Sequence, residues 1–172
     1  LVVCRNLASH NYLSQQLQNK KFIKLYHALV IRNIDKPTVV EEPIGRHPVN
    51  RKKMSIQSNG RQAISIIKPL TIFKKASHVE VELITGRTHQ IRVHLSHLNN
   101  PVIGDTTYGY KKNFFTKNLN LTKTIDPLFL QYLHSYSLSF NDPKTNKLKT
   151  YTADYPKEYS LLLNELIREN ND

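Results

Sequence analysis

Between His78 and Leu98 the hydrophobic pattern of this chain changes period. Val79, Val81 and Leu83 alternate with His78, Glu80, Glu82 and Ile84, the mark of a strand buried on one face. Thr85-Gly86 punctuates, and Ile91, Leu95 and Leu98 then recur at i, i+4 and i+7, which predicts a helix from Thr88 to Leu98. Asn99-Asn100-Pro101 ends it, because the residue before proline avoids helical geometry. A strand, a glycine turn and a helix in quick succession restrict the fold to a sheet with helices packed on it.

The flanking pattern agrees. Phe22–Val30 alternates, with Phe22, Lys24, Tyr26 and Ala28 on one side and Ile23, Leu25, His27 and Leu29 on the other. Val39–Ile44 and Arg61–Pro69 are further strand candidates, joined by the basic stretch Arg46–Gly60. Ser135–Phe140 and Leu148–Ala153 read as a hairpin around the turn-rich Asn141–Asn146. Helices are expected from Ala8 to about Leu17 and over Lys157–Glu169, the second behind Pro156. Lys111 to about Leu133 reads as a polar loop with one helical turn around Pro127–Tyr132. Leu1–Cys4 reads as a short strand entered midway, with more chain upstream in the natural protein. The class is α+β with a mixed, largely antiparallel sheet. The 172 residues suggest one domain, or one with a small appendage, at roughly 150 per domain.

Charge speaks to partners. Lys and Arg number 25 against 13 Asp and Glu, a net charge of +12. No acid occurs between Glu42 and Glu80, whereas Arg46, Arg51, Lys52, Lys53, Arg61, Lys68, Lys74 and Lys75 do. Glu158, Glu165, Glu169 and Asp172 gather at the C-terminal end. Such a basic body suits a phosphate backbone better than an ordinary solvated surface. No apolar run approaches the roughly 18 residues of a membrane span. The single Cys4 gives neither a disulfide nor a cysteine zinc site. A soluble, cytoplasmic protein is expected.

The densest polar cluster lies in the stretch from Leu83 to Leu95. Arg87 and the backbone N–H groups of a helix start converge there, which favours an anion; a plain turn with a solvated arginine has the same spacing. His94 and His97 are three apart, but His89 lies about 140° round the helix from His94. No carboxylate follows at ligand spacing, so a half-buried structural His94 is expected and a metal is not. Tyr26 is either a packing tyrosine or a ring on which a base stacks. No phosphate loop, serine elbow or paired carboxylates occur.

Gly86-Arg87-Thr88-His89-Gln90-Ile91-Arg92-Val93-His94-Leu95, then Pro101-Val102-Ile103-Gly104-Asp105 and Tyr108-Gly109, resemble the RluA-type RNA pseudouridine synthases. Lys24-x-Tyr26-x-Ala28-Leu29-Val30, Leu133-His134 and Asn141–Thr145 extend the likeness through the chain. The resemblance implies a partial pseudouridine synthase catalytic domain over 1–172, with that family's bent sheet flanked by helices. It implies conversion of uridine to its C-glycoside isomer in ribosomal or transfer RNA, without metal or organic cofactor, after the base is flipped into a pocket.

The family's catalytic aspartate lies in a His-Arg-Leu-Asp motif, and Leu1–Asn6 resembles the segment just downstream of it. The chain alone is therefore expected to be inactive, with none of Asp35, Asp105, Asp126, Asp142 or Asp154 as a substitute. By the same resemblance Arg87 pairs with the catalytic carboxylate and holds it ionised, and Tyr26 packs on the flipped base. Arg46, Arg51, Lys52, Lys53, Arg61, Lys74 and Lys75 contact RNA, and Asp105 is structural. A non-catalytic RNA-binding protein that keeps the fold is the alternative, and a basic ribosome-associated surface protein a second. An exposed sheet edge is expected to promote self-association.

Overall fold

The computed structural model describes residues 2–109 and 131–171. The first helix, α1 (Leu7–Gln18), starts where Asn6 Oδ1 accepts from the Ser9 N–H at 2.8 Å, an ordinary N-cap. It is followed by β1 (Ile23–Ile31), β2 (Thr38–Glu41), β3 (Ile44–Arg46), β4 (Met54–Ile56), β5 (Ile64–Ile72) and β6 (Ala76–Leu83). After the glycine turn come α2 (Gln90–His97), β7 (Leu133–Asn141), β8 (Leu148–Thr152) and the C-terminal helix α3 (Lys157–Asn171). Among the described residues no helix is long and apolar enough to cross a membrane.

Six strands form one sheet in the order β2-β5-β6-β1-β7-β8, every pairing antiparallel, and β3 pairs with β4 in a separate hairpin. The alternation in β1 divides the two faces. Tyr26, Ala28 and Val30 join Ile67, Val79, Val81, Ile91 and Leu95 on the side covered by α2. Leu29 and Ile31 join Phe73, Ile103, Tyr159, Leu162 and Leu166 on the side covered by α3. Leu29, Leu95, Leu162 and Leu166 are wholly buried. Truncating any of them to alanine costs about 2–5 kcal/mol.

Several sequence expectations need correction. Val2–Cys4 form no strand, since a few apolar residues are a strand only when a neighbouring strand takes their hydrogen bonds; Leu1 lies outside the described residues. Val39–Ile44 is not one strand: Glu42-Pro43 separates β2 from β3, and proline has no N–H for a ladder. The basic stretch after Arg46 is more than a connection, for it returns as β4 to complete the hairpin. Helix α2 begins at Gln90, two residues after Thr88, because His89 has left-handed φ of 57°. The loop expected at Lys111–Leu133 falls mostly outside the described residues, and Leu133 opens β7.

Candidate active site

The corner between β6 and α2 stands over the end of β1. An atom at the Cβ position of Gly86 would lie 3.7 Å from Lys24 Nζ, so the turn rides directly on that lysine. Leu17, Lys20, Phe22, Lys24, Gly86 and Arg87 line an open cleft of about 340 Å³. No Asp or Glu lines it among the described residues. Partial burial pushes the Lys24 ammonium below its usual pKa. Arg87 gives its Nε–H to the Gln62 carbonyl at 3.0 Å and has no other side-chain partner among the described residues. Cations held without an anion make the cleft a seat for a carboxylate or phosphate. A second groove, about 400 Å³ along β7 and β8, holds no ionisable side chain but Tyr136 and Tyr151 among the described residues.

Tyr26 does not line this cleft. It stands on the same face of β1 as Lys24, one pleat or roughly 6–7 Å further along, half-buried against the apolar cluster under α2. The structure thus sets Arg87 and Lys24 in one cleft; the sequence reading names Lys24 in the strand alternation and in a motif, but not as a site residue. Alternation along β1 was the signal that could have found it.

The basic residues fall into two groups. Arg46 ends β3, Arg51, Lys52 and Lys53 form its turn, and Arg61 bridges back to Ile44. Arg61 also precedes Gln62, the residue that holds Arg87, so Arg61 adjoins the corner, whereas the hairpin turn reaches along α2, where Lys53 Nζ donates to the Thr107 carbonyl at 2.5 Å. Lys74 and Lys75 sit in the β5–β6 turn, at the opposite end of a strand about 25 Å long at about 3.3 Å per residue. Lys74 Nζ there donates to the Glu169 carbonyl at 2.9 Å. These two lysines do not join the other basic residues in one patch.

The rest of the central motif is structural, and sequence reasoning saw little of it. His94 is wholly buried rather than half-buried, with Nδ1 2.9 Å from Ser65 Oγ and Nε2 3.0 Å from the Glu42 carbonyl. Gln90, 2% exposed, bonds Thr85, Arg87 and β5. His89 Nδ1 lies 2.8 Å from the Tyr108 hydroxyl, which also accepts from the Met54 N–H of the basic hairpin at 2.8 Å. Asp105 is buried against Arg92, the structural place expected of it. On the opposite face His27, His78, Tyr155 and Tyr159 make a ring cluster that no sequence signal announced.

Residues 1–97 match the RNA pseudouridylate synthase family. The chain belongs to that family, in its RluA-type branch. It is 36% identical over 166 residues to a ribosomal large subunit pseudouridine synthase D of Buchnera aphidicola subsp. Schizaphis graminum, covering 95% of this chain and 52% of that relative. The protein of the same description from Pseudomonas aeruginosa is 35% identical over 173 residues, 100% of this chain and 54% of the relative. The chain therefore spans about half the length of these relatives. Among solved structures, human RNA Pseudouridylate Synthase Domain Containing 1 superposes with a TM-score of 0.70 at 25% identity, covering 88% of this chain and 62% of that one. The α+β fold is that of pseudouridylate synthase domains.

Proposed function

We propose that this chain is a C-terminal portion of the catalytic domain of an enzyme that isomerises uridine to pseudouridine in ribosomal RNA. The reaction moves the ribose C1′ bond from N1 to C5 of the same base, so it needs no external reactant. What carries the reading is the cleft: Arg87 and Lys24 face it together, and no acid lines it among the described residues. No His-Arg-Leu-Asp run occurs in the 172 residues, so on this reading the catalytic aspartate reaches the cleft from outside them and the chain alone is inactive. Arg87 would keep that carboxylate ionised. Tyr26, on the same sheet face, would pack against the flipped base. Arg46, Arg51, Lys52, Lys53 and Arg61 would hold the RNA backbone beside it. The relatives described as acting on the ribosomal large subunit favour ribosomal over transfer RNA.

The deciding experiment maps pseudouridine by mass spectrometry in ribosomal RNA from cells with and without the full-length gene. Loss of at least one modified position supports the proposal. An unchanged map, with purified protein still binding ribosomal RNA, supports the non-catalytic RNA-binding alternative instead.

A further inference from the structure

A chain of buried polar groups lies under the corner that carries Arg87, and its hydrogens can be placed one by one. The Glu42 carbonyl only accepts, so His94 Nε2 carries a hydrogen and donates it across 3.0 Å. Burial keeps the His94 ring neutral, so Nδ1 accepts from the Ser65 hydroxyl at 2.9 Å. The Ser65 oxygen accepts from Gln90 Nε2 at 3.0 Å, and the second hydrogen of that amide goes to the Ile64 carbonyl at 2.9 Å. Gln90 Oε1 accepts from the Arg87 N–H at 2.9 Å and from the Thr85 hydroxyl at 2.8 Å. The Thr85 oxygen in turn accepts from the Ile64 N–H at 2.8 Å. Reversing the Gln90 amide would set donor against donor at Arg87 and acceptor against acceptor at Ile64, so one orientation alone fits.

Burying Gln90 and His94 is tolerable only because the chain is complete. Its free end is the backbone of Arg87. Helix α2 has no side-chain N-cap, since His89 supplies none, and Gln90 reaches back to tie the turn instead. The Arg87 side chain returns to the same place through its Nε–H to Gln62. Backbone and guanidinium are thus both referenced to residues 62–65 of the β5 approach, which leaves the other guanidinium edge for the cleft.

We infer that Thr85, Gln90 and Ser65 are positioning residues that act through Arg87, a role that rests on the isomerase activity proposed above. The arrangement holds the guanidinium at the one place where it can meet an incoming carboxylate, and displacement of such a group by about 1 Å can cost orders of magnitude in rate.

The test is single-turnover and steady-state isomerisation by the full-length protein on a transcript of its own large-subunit ribosomal RNA. Thr85→Val replaces the hydroxyl with a methyl of nearly the same size and is expected to lower kcat about tenfold, with RNA Kd held within about twofold. Thr85→Ser restores the hydroxyl and should return kcat to within about twofold of wild type. Ser65→Ala breaks the chain one bond further on and should lower kcat in the same direction; it decides the matter if Thr85→Val does not fold. Leu162→Val, on the opposite face, controls for lost thermal stability and should leave kcat unchanged. Equal kcat losses in Thr85→Val and Leu162→Val, or no rescue by Thr85→Ser, would overturn the inference. Full kcat in folded Thr85→Val or Ser65→Ala would do the same. Absence of isomerisation by wild type would sink the proposed function and this role with it, whereas active wild type with indifferent variants would sink this role alone.

Discussion

Arg92 grips Asp105 through two parallel hydrogen bonds, Nε to Oδ2 at 2.7 Å and Nη2 to Oδ1 at 2.8 Å, with the carboxylate wholly buried. Asp105 Oδ1 also accepts from the Thr107 and Tyr108 N–H groups, and the Arg92 guanidinium lies 4.7 Å from the Tyr108 ring centre. The pair therefore fastens the turn after Gly104 onto α2, and Tyr108 passes that hold to the basic hairpin. Removing one partner strands a buried charge. Asp105→Ala in the full-length protein should cost about 3–5 kcal/mol, read as a lowered urea midpoint. A loss below about 1 kcal/mol, the range of a surface pair, would contradict this role for the pair.

Arg87 differs, because its side chain bonds the Gln62 carbonyl alone among the described residues and, on the proposed function, serves the cleft rather than the fold. Arg87→Ala should leave the denaturation midpoint nearly unchanged while isomerisation falls by about 100-fold or more, the usual cost of losing a well-placed charged donor. Arg87→Lys should recover little, because an ammonium lacks the fork that serves Gln62 and a carboxylate together. Turnover of Arg87→Ala within a few-fold of wild type would remove Arg87 from the site.

The two basic groups should behave differently on RNA. Each of Arg51→Ala, Lys52→Ala and Arg61→Ala should weaken binding and reduce the slope of log K against log salt by about one. Lys74→Ala and Lys75→Ala, at the far end of β5, should leave that slope alone. Filter binding between about 50 and 200 mM salt makes the comparison. A slope indifferent to the hairpin substitutions would move the RNA surface elsewhere.

What could be read in advance follows from where each signal resides. Strands β1 and β6 were legible because burial on one side writes a period of two into neighbouring residues. The β3–β4 hairpin was not, since its strands have three residues each and turn only Ile44, Met54 and Ile56 inward amid basic and polar neighbours. The start of α2 depended on the left-handed His89, a backbone choice no hydrophobic pattern records. Gln90 and His94 carry no local mark of their burial, because their partners Ile64, Ser65 and Glu42 lie 26, 29 and 52 positions away. The cleft was half visible: Arg87 through its motif, Lys24 only once β1 and the corner were brought together.

The ring cluster beneath α3 predicts how stability responds to acid. His78 is 6% exposed, its Nε2 has no hydrogen-bond partner among the described residues, and burial pushes its pKa down to about 4, with His27 adding repulsion. His27 faces it edge-on at 5.3 Å, Tyr155 and Tyr159 flank it, and Glu80 stands 3.6 Å from the far His27 nitrogen. His78 titrates in the unfolded chain at the ordinary 6.5, so as pH falls the unfolded state takes the proton first. The stability tied to neutral His78 is therefore complete above pH 6.5 and drains away as pH falls towards 4. The loss is at most about 3 kcal/mol, because each tenfold difference in proton affinity between the two states is worth about 1.4 kcal/mol. Denaturant midpoints of the full-length protein should decline between pH 7 and 5, above the range where ordinary carboxylates titrate. His78→Phe keeps the ring and removes the basic nitrogen, so it should flatten that decline with little loss of stability at pH 7. An equally steep decline in His78→Phe would assign the acid sensitivity to another group.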